Sequence, residues 1–127
     1  MTRDAIITHL ETACEAVGLR KASLLRDSKA THQDTYDLLW GAAESERHDS
    51  QRALVSQPVT VRVRCKRGGD VDGARQAIDG HESNLLARVW GDGFVAGVIL
   101  DGIDTTKEAG DGYWECNLTV ATKYLVG

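Results

Sequence analysis

Val59-Thr60-Val61-Arg62-Val63-Arg64-Cys65-Lys66 alternates strictly, with Val59, Val61, Val63 and Cys65 in one phase and Thr60, Arg62, Arg64 and Lys66 in the other. Successive side chains of a strand point to opposite faces, so this stretch predicts a half-buried strand with a basic outer row. Gly68 and Gly69 break it. From about residue 71 to residue 90 the apolar spacing becomes three and four, and Ala74, Ala77, Ile78, His81, Leu85, Leu86 and Val89 mark one face of a helix. Gly80 lies nearly opposite Ile78 on that helix, on the outer face, at a cost of about 1 kcal/mol relative to Ala. A bend there or a late helix start is the alternative.

Working outward, residues 3–17 place Ile6, Ile7, Leu10, Ala13, Cys14 and Val17 at helical spacing, with Thr2 as N-cap and Asp4 in the first turn. Gly18 ends this first helix. Residues 36–42 set Tyr36, Leu38, Trp40 and Ala42 against Asp37, Leu39 and Gly41, which predicts a strand. Residues 44–57 carry Glu44, Glu46, Arg47, His48, Asp49 and Arg52 with few apolar anchors, so a long solvated hairpin end or loop is expected. Residues 94–100 are a short apolar run, 114–124 alternate, and the polar stretch 101–112 between them predicts a hairpin with a long tip. Both polar stretches are expected to be disordered or proteolytically sensitive in the free protein and ordered on assembly, because they bury little apolar area. Of five Asp-Gly pairs, those at Asp92, Asp101 and Asp111 fall where turns are needed. The order predicts one α+β domain, an antiparallel sheet of about four to five strands packed against two helices. Val61, Val63, Leu85, Leu118 and Val120 form its expected core.

A chain of 127 residues with 42% hydrophobic side chains suits one domain, able to bury roughly two-thirds of its unfolded surface. No apolar run approaches the roughly 20 residues of a membrane-spanning helix, so no membrane is expected. The N-terminal residues enter helical periodicity without a signal-like apolar run, which predicts a protein that is not exported. Cys14, Cys65 and Cys116 form an odd set without a C-x-x-C pair, which fits a reducing compartment rather than a disulfide framework or a zinc arrangement. Residues 1–67 carry a net +2 and residues 68–127 a net −6, which make up the overall −4.

Familiar motifs fail on context. Gly91-Asp-Gly93-Phe-Val-Ala96 spells a dinucleotide fingerprint, but a helix precedes it and a strand-like run follows, the reverse of what phosphate binding needs. Asp70-Val-Asp72-Gly73 opens like a calcium loop, yet Ala74 and Arg75 occupy the next positions and no closing Glu follows. His9, His32, His48 and His81 show no ligand spacing, and His81 on an apolar helix face reads as a packed, hydrogen-bonded histidine. With no G-x-S-x-G, P-loop or local Cys/His pair, the sequence supports no enzymatic activity, cofactor or metal. Arg62, Arg64, Lys66 and Arg67 are the strongest charged feature, suited to phosphate, to an acidic neighbour, or to plain solvation.

The helix over residues 2–17, the 36–40 strand with its polar loop, the 59–66 strand, a helix after a Gly-Asp turn and the closing 114–124 strand together resemble the tail terminator and tail-completion proteins of long-tailed bacteriophages. The likeness is one of element order, length and pattern across nearly the whole chain, with residues 1–127 as a single tail-terminator-like domain and no invariant motif. Gly80 inside the helix and the scarcity of prolines before strands depart from it. The resemblance implies a structural virion protein, usually a hexameric ring, that caps the tail tube, stops its polymerisation and provides the head-tail joining surface. Implied partners are further copies of the chain, the tail-tube protein and the head-completion or connector protein. DNA is passing cargo only, and assembly takes place in the host cytoplasm. Arg62, Arg64, Lys66 and Arg67 are then expected to face a neighbouring subunit or the channel, and the unlike charges of the two halves could join successive subunits. The alternative is a small nucleic-acid-binding module using the basic strand 59–67, which the net acidity counts against.

Overall fold

In the computed structural model, which describes residues 2–22, 34–91, 95–110 and 112–127, the elements run α1 (Thr2–Ala16), β1 (Arg20–Lys21), β2 (Asp34–Trp40), β3 (Glu44–Arg47), β4 (Ala53–Cys65), α2 (Val71–Gly91), β5 (Val98–Gly110) and β6 (Tyr113–Val126). The strands form one sheet in the order β1-β2-β4-β6-β5, antiparallel except for the short parallel pair β1/β2, with β3 also paired to β4. One edge of β4 is paired along its whole length with β6, from Ala53↔Val126 to Cys65↔Trp114. Its other edge is shared end to end by β2, against residues 59–65, and β3, against residues 53–56.

That division explains a proline in a central strand. The Pro58 carbonyl accepts a hydrogen bond from Gly41 N at 2.8 Å, where the chain passes from β2 to β3. A residue's N and C=O point to the same side of a strand, so the N–H that Pro58 lacks faces this junction, where Gln57 Nε2 donates to the Gly41 carbonyl at 3.1 Å in its place. A Cβ on Gly41 would lie 2.5 Å from Pro58 Cγ, which is why the crossing residue is glycine.

Both helices cover one face of the sheet. Ile6, Leu10, Ala13 and Cys14 of α1 and Ala74, Ile78, Leu85 and Val89 of α2 are buried. Beneath them lie Tyr36, Val59, Val61, Val63, Cys65, Cys116, Leu118 and Val120. The five expected core residues are all at most 2% exposed and belong to this one cluster. Burying a Val or Leu contributes roughly 1.5–3 kcal/mol, so this face holds the helices on. Gly18 ends α1 with φ +90°, its N bonded to Glu15 O at 3.1 Å and Leu19 N bonded to Cys14 O at 3.0 Å, the paired bonds of a Schellman stop. Asp70 caps α2 by accepting from Gly73 N at 2.9 Å, which accounts for the acids that mimic a calcium loop. No described helix is long and apolar enough to cross a membrane.

Among the described residues the sheet has six strands rather than four to five. Residues 44–57, expected as a solvated hairpin end or loop, contain β3 and the start of β4, and residues 101–112, expected as a long tip, lie largely in β5. In place of the expected disorder, both stretches are mostly paired strand, because the ladder to a neighbour uses backbone groups and tolerates exposed polar side chains. The β5–β6 turn is short, with Gly110 opposite Tyr113 and Gly112 at φ +80°. Asp101-Gly102 is not a turn but a bulge, between Leu100↔Thr122 and Gly102↔Ala121. The bulge shifts the alternation by one, so Val98 and Leu100 share the helix-covered face with Ile103, Thr105 and Lys107. The apolar run predicted at 94–100 becomes strand only at Val98; Asp92, Gly93 and Phe94 lie outside the described residues.

Candidate functional site

The sheet face away from the helices carries Thr35 and Asp37 of β2, Thr60, Arg62 and Arg64 of β4, and Glu115, Asn117 and Thr119 of β6. The register sets Arg64 opposite Glu115, and Arg64 Nε donates to Glu115 Oε1 at 2.8 Å. The same guanidinium lies 5.0 Å from the centroid of the Tyr113 ring, within cation–π range. Asn117 Nδ2 donates to the other carboxylate oxygen at 3.1 Å. Burial acts to raise the Glu115 pKa, but the bonds from Arg64 and Asn117 outweigh it and hold the carboxyl below its usual value. Arg62 sits between Asp37 and Asn117, half-buried, with no ion-pair partner among the described residues and its Nε without a hydrogen bond.

The four basic residues therefore divide. Arg62 and Arg64 share the open face, as the period of two predicts, and Lys66 is exposed just beyond the end of β4. Arg67 leaves the row and turns back to Asp34, which its Nη1 reaches at 2.6 Å and its Nη2 at 3.1 Å. Two of the four cations are thus matched to carboxylates, which leaves Arg62 and Lys66 as the cations of the row without an ion pair among the described residues.

Asp34 is the centre of a second cluster. It is the first residue of β2, directly opposite Cys65, the last residue of β4, and His81 of α2 lies over both. His81 Nε2 is 2.9 Å from Asp34 Oδ2, and the Cys65 sulfur lies within 4.8 Å of both. Burial acts to raise the Asp34 pKa, but the Arg67 and His81 bonds prevail and hold it below its usual value. An ionised carboxylate only accepts, so His81 donates from Nε2, and Arg67 and His81 converge on Asp34 as donors. Burial first, and the Asp34 charge second, push the Cys65 thiol up to about 12. Such a thiol is not a nucleophile near neutral pH, because the thiolate is the reactive form. The cluster fastens the end of β4, the start of β2 and the middle of α2, and it brings an oxygen, a sulfur and a nitrogen donor within 4.8 Å of one another.

His81 is packed and hydrogen-bonded, as its place on an apolar helix face suggests, but Asp34 and Cys65 carry no sequence signal as its partners. They are 31 residues apart and meet only through the β2/β4 register. Lys107 was equally hidden. The bulge turns it under the helix layer, where its Nζ reaches Asp79 at 2.9 Å and Glu82 at 3.1 Å and ties β5 to α2.

At the far end of the open face the register groups Leu54, Leu125 and Ile99, since Leu54 pairs with Leu125 and Ile99 pairs with Lys123, two residues away. Ile99 is 60% exposed and Leu125 39%. Neither protein-family models nor curated proteins give a match to this sequence.

Proposed function

We propose that the protein is a ring-forming virion subunit of the tail-terminator type, which caps the tail tube, stops its growth and offers a joining surface to head-completion proteins. The observation that carries this reading is the pair of unlike edges of the sheet. One edge is β5, 13 residues long, and the other is the broken line of β1, β2 and β3. An uncovered edge presents unpaired N–H and C=O groups to another chain, and two different surfaces meeting head to tail make a heterologous contact, which closes into a ring where the rotation between copies closes and runs on as a filament where it does not. The row of half-buried Leu54 with exposed Leu125 and Ile99 adds apolar area at that end of the sheet. The nucleic-acid alternative is weakened by the commitment of Arg64 and Arg67 to Glu115 and Asp34, since DNA affinity grows with the number of cations free to meet phosphates.

Mass measurement across a concentration series, with and without tail-tube protein, tests the reading; a closed hexamer is expected, and a strict monomer under both conditions overturns it. Arg62→Gln sharpens it, because this side chain holds no ion pair within the described chain and its charge can be removed without breaking one. The expected result is lower ring yield in a folded protein. Normal rings with loss of a tight, salt-sensitive DNA complex would favour the nucleic-acid module instead.

A further inference from the structure

We propose that Asp34, Cys65 and His81 form a site for one divalent cation of the zinc class, with the Arg67 guanidinium standing in for the ion when none is bound. The three donors come from three different elements, β2, β4 and α2, and the paired ends of two strands hold two of them in register. Tetrahedral zinc, with bonds of about 2.0–2.3 Å, needs neighbouring donors about 3.3–3.8 Å apart. Asp34 and His81 already stand 2.9 Å apart, and no pair in the trio exceeds 4.8 Å, so small side-chain adjustments suffice. One thiolate, one imidazole and one carboxylate suit a borderline metal; calcium and magnesium favour all-oxygen shells.

Arg67 places a positive charge against both oxygens of the carboxylate, where the ion's own charge would lie. Its side chain is 27% exposed and stands just before Gly68, which has φ +61°, so it can leave toward solvent without disturbing the two strands. On binding, Cys65 releases its proton to solvent and enters as thiolate, and His81 binds through Nε2 with its ring proton on Nδ1. The dication then meets two anions, Asp34 and Cys65, and Arg67 is no longer needed. A water completes the four ligands on the side Arg67 vacates.

The test is titration of the full chain with cobalt(II), followed by competition with zinc. A thiolate-to-cobalt charge-transfer band saturating at one ion per chain, and abolished by zinc, is expected. The band is expected to vanish in Cys65→Ala and in His81→Gln, and Arg67→Gln is expected to bind about tenfold more tightly, the scale on which groups around a ligand set tune it. Circular dichroism checks that each variant is folded; should Cys65→Ala fail, the more peripheral His81→Gln decides. Absence of the band in both the parent and Arg67→Gln, its survival in Cys65→Ala or His81→Gln, or equal affinity of parent and Arg67→Gln overturns the proposal.

Discussion

Along β4, Val59, Val61 and Val63 are at most 2% exposed, while Thr60, Arg62 and Arg64, one residue out of phase, face the open side. The first set is held by the removal of apolar surface from water, a force without direction that any well-filled side chain can supply. The second depends on specific partners: Thr60 Oγ1 with Thr119 Oγ1 at 3.1 Å, and Arg64 with Glu115 at 2.8 Å. The covered face therefore supplies the stability, and the open face is free to carry a pattern of charge and recognition.

The largest effect is expected on the covered side. Leu85→Ala removes a side chain 1% exposed and should cost about 2–5 kcal/mol, read from the denaturant midpoint. A loss below that range would mean that α2 adds less to the core than its burial implies. Asp34→Asn tests the boundary between the two regimes, since it keeps the shape of the cluster but removes the charge that Arg67 and His81 meet; a loss of about 1.5–3 kcal/mol is expected. Gly80→Ala probes the solvent side of α2, where neither force acts. Its Cβ would meet nothing within 4 Å, so a gain of about 0.5–1 kcal/mol is expected from helix propensity alone.

The smallest effect belongs to the open face. Because the folded Glu115 pKa lies below the unfolded value of 4.5, its pairing stabilises the fold fully above that pH and is lost as pH falls through the folded pKa. Arg64 is 40% exposed, so the contribution is about 0.2–1 kcal/mol. Stability measured between pH 6 and pH 3 in the parent and in Glu115→Gln should converge at the acid end; a constant gap would assign the difference to packing.

Where burial imposes a period, the sequence was readable: α1, α2, β4 and β6 bury one phase, and their apolar residues keep time with it. Glu44-Ser45-Glu46-Arg47 has no apolar residue and is fully exposed, so β3 exists through its ladder to β4. The polar half of β5 follows the same logic, and its bulge breaks the alternation that periodicity relies on. The candidate site was least legible. Arg62 and Arg64 could be placed on one face by counting, but the partners of Arg64 and Arg67 come from strands that only the folded register brings near. Asp34, Cys65 and His81 are joined by topology rather than by spacing.

The position of β4 also sets a timetable. Its full-length partner, β6, is separated from it in the chain by α2 and β5, and the pairing spans residues as distant as Ala53 and Val126. During synthesis β4 emerges long before that partner, so the central ladder closes late, after most of the nascent chain has been made. Folding dominated by such distant pairings has a high contact order and is slow, and until β6 arrives β4 offers an unpaired edge to other chains.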